Sequence, residues 1–258
     1  MPKINKDSTL NITFVGIGLC LLCSAIISFV AIQLRSVQEN NALLDMQKKI
    51  VSSAGLEKVY GSVENAMSNI KTLIIDLDKG EIADIRPDSY ELAKELREDG
   101  KYKFLSSEED IASIKKREKY SKIYIEYKDN KINTLILPVR GYGLWGILYG
   151  YIAIEGDFNT VAGLEFYEHK ETPGLGAEID NPKWKALWKG KKIYQESGEV
   201  SLRVIKGSVL ETSNNYSYEI DGLSGATLTC NGVSNLIAYW MGNDGFLNFI
   251  SNLQNADV

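Results

Sequence analysis

Lys122-Ile-Tyr-Ile-Glu-Tyr-Lys128 alternates its side chains at a period of two, the spacing of a half-buried β-strand. Downstream the pattern persists. Residues 134–138 and 146–154 read as buried strands, and residues 162–167 as another. The turns between them, Asp129-Asn130 and Glu155-Gly156-Asp157, are short enough to join antiparallel neighbours. A further strand is predicted at 200–205, and helices at 182–188, 227–241 and 246–253. There is no parallel βαβ series, no repeat and no low-complexity tract. The expected fold class is α+β, with a mainly antiparallel sheet flanked by helices.

Toward the N-terminus the chain changes character. No charged side chain occurs between Asp7 and Arg35, and residues 12–34 are almost wholly apolar. Roughly 20 apolar residues, at about 1.5 Å each, cross the hydrocarbon core of a bilayer, so one N-terminal transmembrane helix is predicted. A cleaved signal peptide is the rival reading, but its apolar region runs about 7–15 residues and ends at small residues. Here the run is longer and ends in Ile32-Gln33-Leu34-Arg35. Lys3 and Lys6 on one side face Arg35, Lys48 and Lys49 on the other, so charge counting does not orient the span. Residues 36–54 read as a helical stalk continuing the anchor, with Val37, Leu43, Leu44, Ile50 and Val51 spaced for one apolar face. Residues 55–119 are mixed and charge-rich, with helices predicted at 61–68 and, after Pro87, at 88–98.

The 258 residues are 44% hydrophobic and 24% charged, a globular composition that excludes general disorder. Net charge is −5, where a nucleic-acid reader would show a basic face. The runs Lys115-Lys116-Arg117 and 189–192 have carboxylates nearby and read as solvated surface. Cys20 and Cys23 lie inside the apolar span, where a CxxC pair reads as two small packing residues or, less simply, as a ligand pair. Cys230 is the only cysteine outside it, so no disulfide can form within the soluble part. With His169 the single histidine, no histidine-rich metal site is expected.

Three segments place glycines beside hydroxyl or aromatic residues: Pro138-Val-Arg-Gly-Tyr-Gly-Leu-Trp-Gly146, His169-Lys-Glu-Thr-Pro-Gly-Leu-Gly176 and Asp221-Gly-Leu-Ser-Gly-Ala-Thr-Leu-Thr229. In the third, Ser224, Thr227 and Thr229 stand at a predicted helix start, where free N–H groups favour a phosphate. Helix capping by a Ser or Thr is the plainer reading of the same residues. Trp145 is a candidate ligand contact or an ordinary core aromatic. Cys230 with His169 could in principle form a cysteine hydrolase, although Cys230 has no recognisable nucleophile context. A non-redox anchored binding module is a third class.

Asp221-Gly-Leu-Ser-Gly-Ala-Thr227 resembles the flavinylation motif of the FMN-binding domain family, found in the C subunit of the Na+-translocating NADH:quinone reductase and in the G subunit of the Rnf complex. The resemblance covers nearly the whole chain: an N-terminal span, Gly143-Leu-Trp-Gly146, the Glu171-Thr-Pro-Gly-Leu-Gly176 loop and the SGAT run, in the family's order. The 55–119 segment is similar to the longer extension of the reductase's C subunit; the Rnf protein is the alternative. Cys230 stands where the family pattern suggests a serine, beyond the attachment residue.

The resemblance implies FMN carried covalently on Thr227 as a phosphoester, placed there from FAD by a flavin transferase. Ser224, Gly225 and Ala226 would surround the attachment point. Leu144 and Trp145 would face the flavin ring from one side, and Glu171, Thr172, Leu175 and Gly176 from the other; Lys206 is a weaker candidate near the phosphate or ring. The implied role is an electron relay with the B, D and E subunits, in a complex that oxidises NADH, reduces ubiquinone and moves sodium outward. The chain itself shows no dinucleotide fingerprint and no quinone site, so no catalytic residue is expected on it. The implied organisation is a cytoplasmic tail and transmembrane helix (1–35), a stalk and mixed α/β extension (36–120) and an FMN-binding domain (121–258) on the periplasmic side of a bacterial inner membrane.

Overall fold

The computed structural model describes residues 8–256, so Lys3 and Lys6 of the charge comparison lie outside it. Helix α1, Thr9–Ser53, is continuous for 45 residues, about 67 Å at 1.5 Å per residue. No proline occurs in it, and it stops just short of Gly55. Two compact units divide the chain, Met1–Met46 and Gln47–Val258. In the first, the helix's most apolar 18-residue window has a mean hydropathy of 2.6, and none of it is buried. By length and composition this helix can cross a membrane.

In the second unit the last turns of α1 are buried through Ile50, Val51 and Ser53. They are followed by α2 (Glu57–Tyr60), α3 (Val63–Ser68), β1 (Ile70–Asp76), β2 (Glu81–Ile82), α4 (Leu92–Glu95), β3 (Tyr102–Phe104) and β4 (Lys116–Glu118). The long strands come next: β5 (Tyr120–Lys128), β6 (Lys131–Tyr142), β7 (Ile147–Glu155) and β8 (Val161–Glu168). After them stand α5 (Pro182–Ala186), β9 (Arg203–Val204), β10 (Glu219–Ile220), α6 (Thr227–Trp240) and α7 (Leu247–Ala256).

The main sheet has the order β2-β1-β5-β6-β7-β8, and every neighbouring pair is antiparallel. Asp129 and Asn130 join β5 to β6 with φ of 52° and 60°, the left-handed pair that a two-residue hairpin needs and that Asp and Asn tolerate. One core is built from strand residues such as Ile123, Leu137, Leu148 and Phe166 together with Leu236, Ile237 and Trp240 of α6 and Phe249 of α7. On β8, Glu165 takes a hydrogen bond from Ser52 and ion pairs from Lys49 and Lys185, and on β5 Glu126 accepts from the Tyr60 hydroxyl. These bonds fasten the end of α1 and α2 to the sheet.

The structure departs from the sequence-based expectations in four places. β1, inside the segment expected to be an extension, pairs with β5 over seven residues, so the 120–121 boundary falls within one sheet. The helix predicted at 88–98 is a 3-10 turn at Pro87–Ser89, an extended Tyr90 and Glu91, and the short α4. Tyr90 is drawn out of helix by β5, since its hydroxyl donates to the Tyr120 carbonyl and its own carbonyl accepts from Lys122 Nζ. The strand expected at 200–205 shortens to β9, which pairs in parallel with β10. β6 continues past Pro138 to Tyr142, and its register with β5 stops at Ile136, so the missing proline N–H interrupts no pairing on that side.

Candidate functional site

The three glycine-bearing segments come together where β6 ends and α6 begins. Trp240 Nε1 donates to the Arg140 carbonyl at 2.7 Å, which seats α6 on β6. The run before α6 is held from behind. Asp221 Oδ1 accepts from Val209 N–H at 2.7 Å, the Asp221 carbonyl accepts from Trp184 Nε1 at 2.8 Å, and Gly222 N–H donates to the Gly207 carbonyl at 2.8 Å. These bonds bring the 205–209 segment, with an exposed Lys206, alongside the Asp221–Thr227 run.

Among the described residues no side chain caps α6, whose N-cap position is Ala226. The capping expected of this Ser/Thr cluster is therefore absent, and the first N–H groups of a 14-residue helix stay available. The three hydroxyls have different fates. Ser224 and Thr227 are exposed, whereas Thr229 is fully buried and donates to Glu171 Oε2 at 2.5 Å.

Glu171 is buried, and its other oxygen, Oε1, accepts the N–H groups of Leu144 and Trp145 at 3.0 and 3.1 Å. Its carboxylate is turned into the protein and occupied by three donors, not presented to the surface as a ring contact. Gly176 makes this packing possible: a Cβ there would lie 2.5 Å from both Glu171 Oε2 and Thr229 Oγ1. Gly225, with φ +72°, places the backbone before Thr227 against Leu175, whose Cδ2 would be 2.9 Å from a Cβ at that position.

The segments tied to the start of α6 through Glu171 and Gly225 carry Leu144, Trp145 and Leu175, which with Leu228 of α6 are 39, 61, 43 and 58% exposed. Trp145 is thus no core aromatic. Leu228 carries no signal in the sequence beyond its adjacency to Thr227. Thr172 is exposed and its loop is closed by its own carbonyl, which accepts from Leu175 and Ala177 N–H.

The hydrolase reading loses its residues. His169 Nε2 is bonded to Asp180 Oδ2 at 2.9 Å and its Nδ1 accepts from Glu171 N–H at 3.2 Å, so both ring nitrogens are engaged. Cys230 is buried, its sulfur accepts from Leu223 N–H, and burial pushes the thiol's pKa up, away from the reactive thiolate.

A model of the FMN-binding domain family matches residues 143–242. The C subunit of the Na(+)-translocating NADH-quinone reductase of Pseudomonas aeruginosa is 45% identical, over 98% of this chain and 99% of that protein. Its counterpart from Vibrio alginolyticus is 36% identical, over 98% of each. The crystal structure of Shewanella oneidensis NqrC superposes with a TM-score of 0.73 at 32% identity, covering 81% of this chain and 96% of that one. The residues present fit FMN: an uncapped helix start with an exposed hydroxyl suits its phosphate, and the exposed apolar rim suits its ring. The chain belongs to the NqrC family, the C subunits of the Na+-translocating NADH-quinone reductase, as an oxidoreductase-complex component with an FMN-binding domain.

Proposed function

We propose that the chain carries FMN as a phosphoester on Thr227 and relays electrons inside a Na+-translocating NADH:ubiquinone reductase. The observation that carries this reading is the exposed Thr227 hydroxyl at the uncapped start of α6, within a rim of exposed apolar side chains. Bound FMN accepts one or two electrons and so connects one-electron and two-electron partners.

The chain's own part is to hold and shield. Thr227 supplies the oxygen of the phosphoester, and the N–H groups at the start of α6, beside Ser224, Gly225 and Ala226, face the phosphate's charge. Leu144, Trp145, Leu175 and Leu228 form the apolar wall, with the exposed Thr172 in the same loop as Leu175; Gly176 and Glu171 support it from within, and Lys206 is a cation on the neighbouring 205–209 segment. Attachment requires an external transferase with FAD, because a threonine hydroxyl is unactivated by itself. In that step the Thr227 oxygen takes the flavin-side phosphate, AMP leaves, and the hydroxyl proton is released.

The partners in this reading are the neighbouring D and E membrane subunits as electron donors and the B subunit, through its own FMN, as acceptor. The α1 helix is then a single-pass anchor in the bacterial inner membrane with its N-terminus cytoplasmic and the flavin domain periplasmic. An anchored domain with a tethered flavin keeps both at high effective concentration beside these partners.

Thr227→Val is close to isosteric and lacks the oxygen. It should abolish the FMN mass increment and in-gel flavin fluorescence while the protein stays folded, and wild-type chain made without the transferase should be colourless. Retention of the increment in Thr227→Val would overturn the assignment.

A further inference from the structure

The geometry points to the hydrogen-bonded chain Asp180–His169–Glu171 as the device that holds the Leu144–Trp145 wall against the start of α6, with Glu171 a positioning residue for the flavin. This rests on the proposed flavin site and deepens it. The argument begins with a contrast between two buried glutamates. Glu165 is neutralised by Lys49 and Lys185, the usual arrangement for a buried carboxylate. Glu171 is just as buried, yet among the described residues its side chain meets only neutral donors.

A buried carboxylate is costly, and a fold that needed only volume at this place would use an apolar side chain. What the carboxylate provides is a bridge with two ends. Oε1 gathers the successive N–H groups of Leu144 and Trp145, in the turn between β6 and β7, and Oε2 takes the hydroxyl of Thr229, two residues after Thr227 on α6. The ring-side wall and the attachment helix therefore share one anchor.

The anchor is itself fixed from behind. Glu171 N–H donates to His169 Nδ1, which leaves Nε2 as the protonated nitrogen donating to Asp180 Oδ2. Asp180 ends the 3-10 turn Gly176–Asp180, so the chain closes the 172–176 loop at both of its ends. The single histidine is thereby a backbone clamp, and the wall is set before any flavin arrives, as a tuned site requires.

Two measurements on the full-length chain in detergent test this. In protein made without the transferase, amide exchange at Leu144 and Trp145 should quicken by about 10-fold or more in Glu171→Ala and less in Glu171→Gln, which keeps one acceptor oxygen, while amides of β5 to β7 stay protected. In flavin-loaded protein, Glu171→Ala and His169→Phe should shift the visible spectrum and midpoint potential. His169→Asn, whose side-chain oxygen can accept the same N–H two residues on, should restore both. Unchanged exchange at Leu144 and Trp145 in Glu171→Ala would overturn the inference. So would an unshifted spectrum and potential in Glu171→Ala and His169→Phe when only thermal stability falls. A wild-type chain that gains no flavin would instead sink the flavin-site reading, and the exchange measurement would still decide the clamp.

Discussion

Two of the apolar surfaces that the described residues expose differ in kind. Along α1, Phe14, Val15, Leu19 and Ile27 point to different sides of the helix and are all exposed, and none of its most apolar window is covered. Around Thr227 the exposure is confined to Leu144, Trp145, Leu175 and Leu228, and buried polar bonds fix the segments that carry them. A surface that is apolar all round and satisfies its own backbone suits a solvent without direction, which is lipid. A small apolar rim beside free helix N–H groups suits one ligand with a flat apolar body and an anionic end. Exposed hydrophobicity is thus informative through what holds it in place.

Removing residues up to Leu34 tests the first half of this contrast and should have the largest effect. It should turn a detergent-requiring protein into a soluble folded domain, as read by gel filtration without detergent. A truncated chain that still needs detergent would show that the second surface, or another, is also a membrane surface. The second half is probed first at Gly176, where Val would drive its side chain between Glu171 and Thr229 and should cost about 3 kcal/mol, measured by denaturant unfolding of that soluble domain.

Thr229→Val removes one donor from the buried Glu171 carboxylate and should cost about 1–3 kcal/mol in the same assay. Under the proposed attachment to Thr227 it should leave the flavin in place, because Thr229 is buried; loss of the flavin from a folded Thr229→Val protein would merge the two threonines' roles. The smallest effect on stability is expected for Trp145→Ala, within about 0.5 kcal/mol since the side chain is mostly exposed. The flavin spectrum should nonetheless move, and an unchanged spectrum would remove Trp145 from the wall.

Much of this is legible in the sequence. The apolar run before Arg35, a strand at 122–128, the Asp129-Asn130 turn and the helix beginning at Thr227 all appear where local pattern places them, although the strand is not half-buried: Tyr124 and Glu126 are buried as well as Ile123 and Ile125. β1 was missed because Leu73, Ile74 and Ile75 are a short run between charged residues, without alternation, and their burial comes from pairing with β5 nearly fifty residues on. The 88–98 helix was lost for the converse reason: its local signal was real, but the two bonds from Tyr90 to β5 outweigh a short helix's propensity.

Sequence alone determined the anchor, the α+β class and the three segments of the site, because hydropathy, side-chain period and glycine placement act over a few residues. Only the tertiary structure decided which threonine faces out and which is buried, that Glu171 faces inward, and that His169 clamps a backbone. The first two outcomes depend on groups 26 to 58 residues apart, and the third on partners two and eleven residues from His169, all competing for the same few donors and acceptors, and no local pattern records who wins.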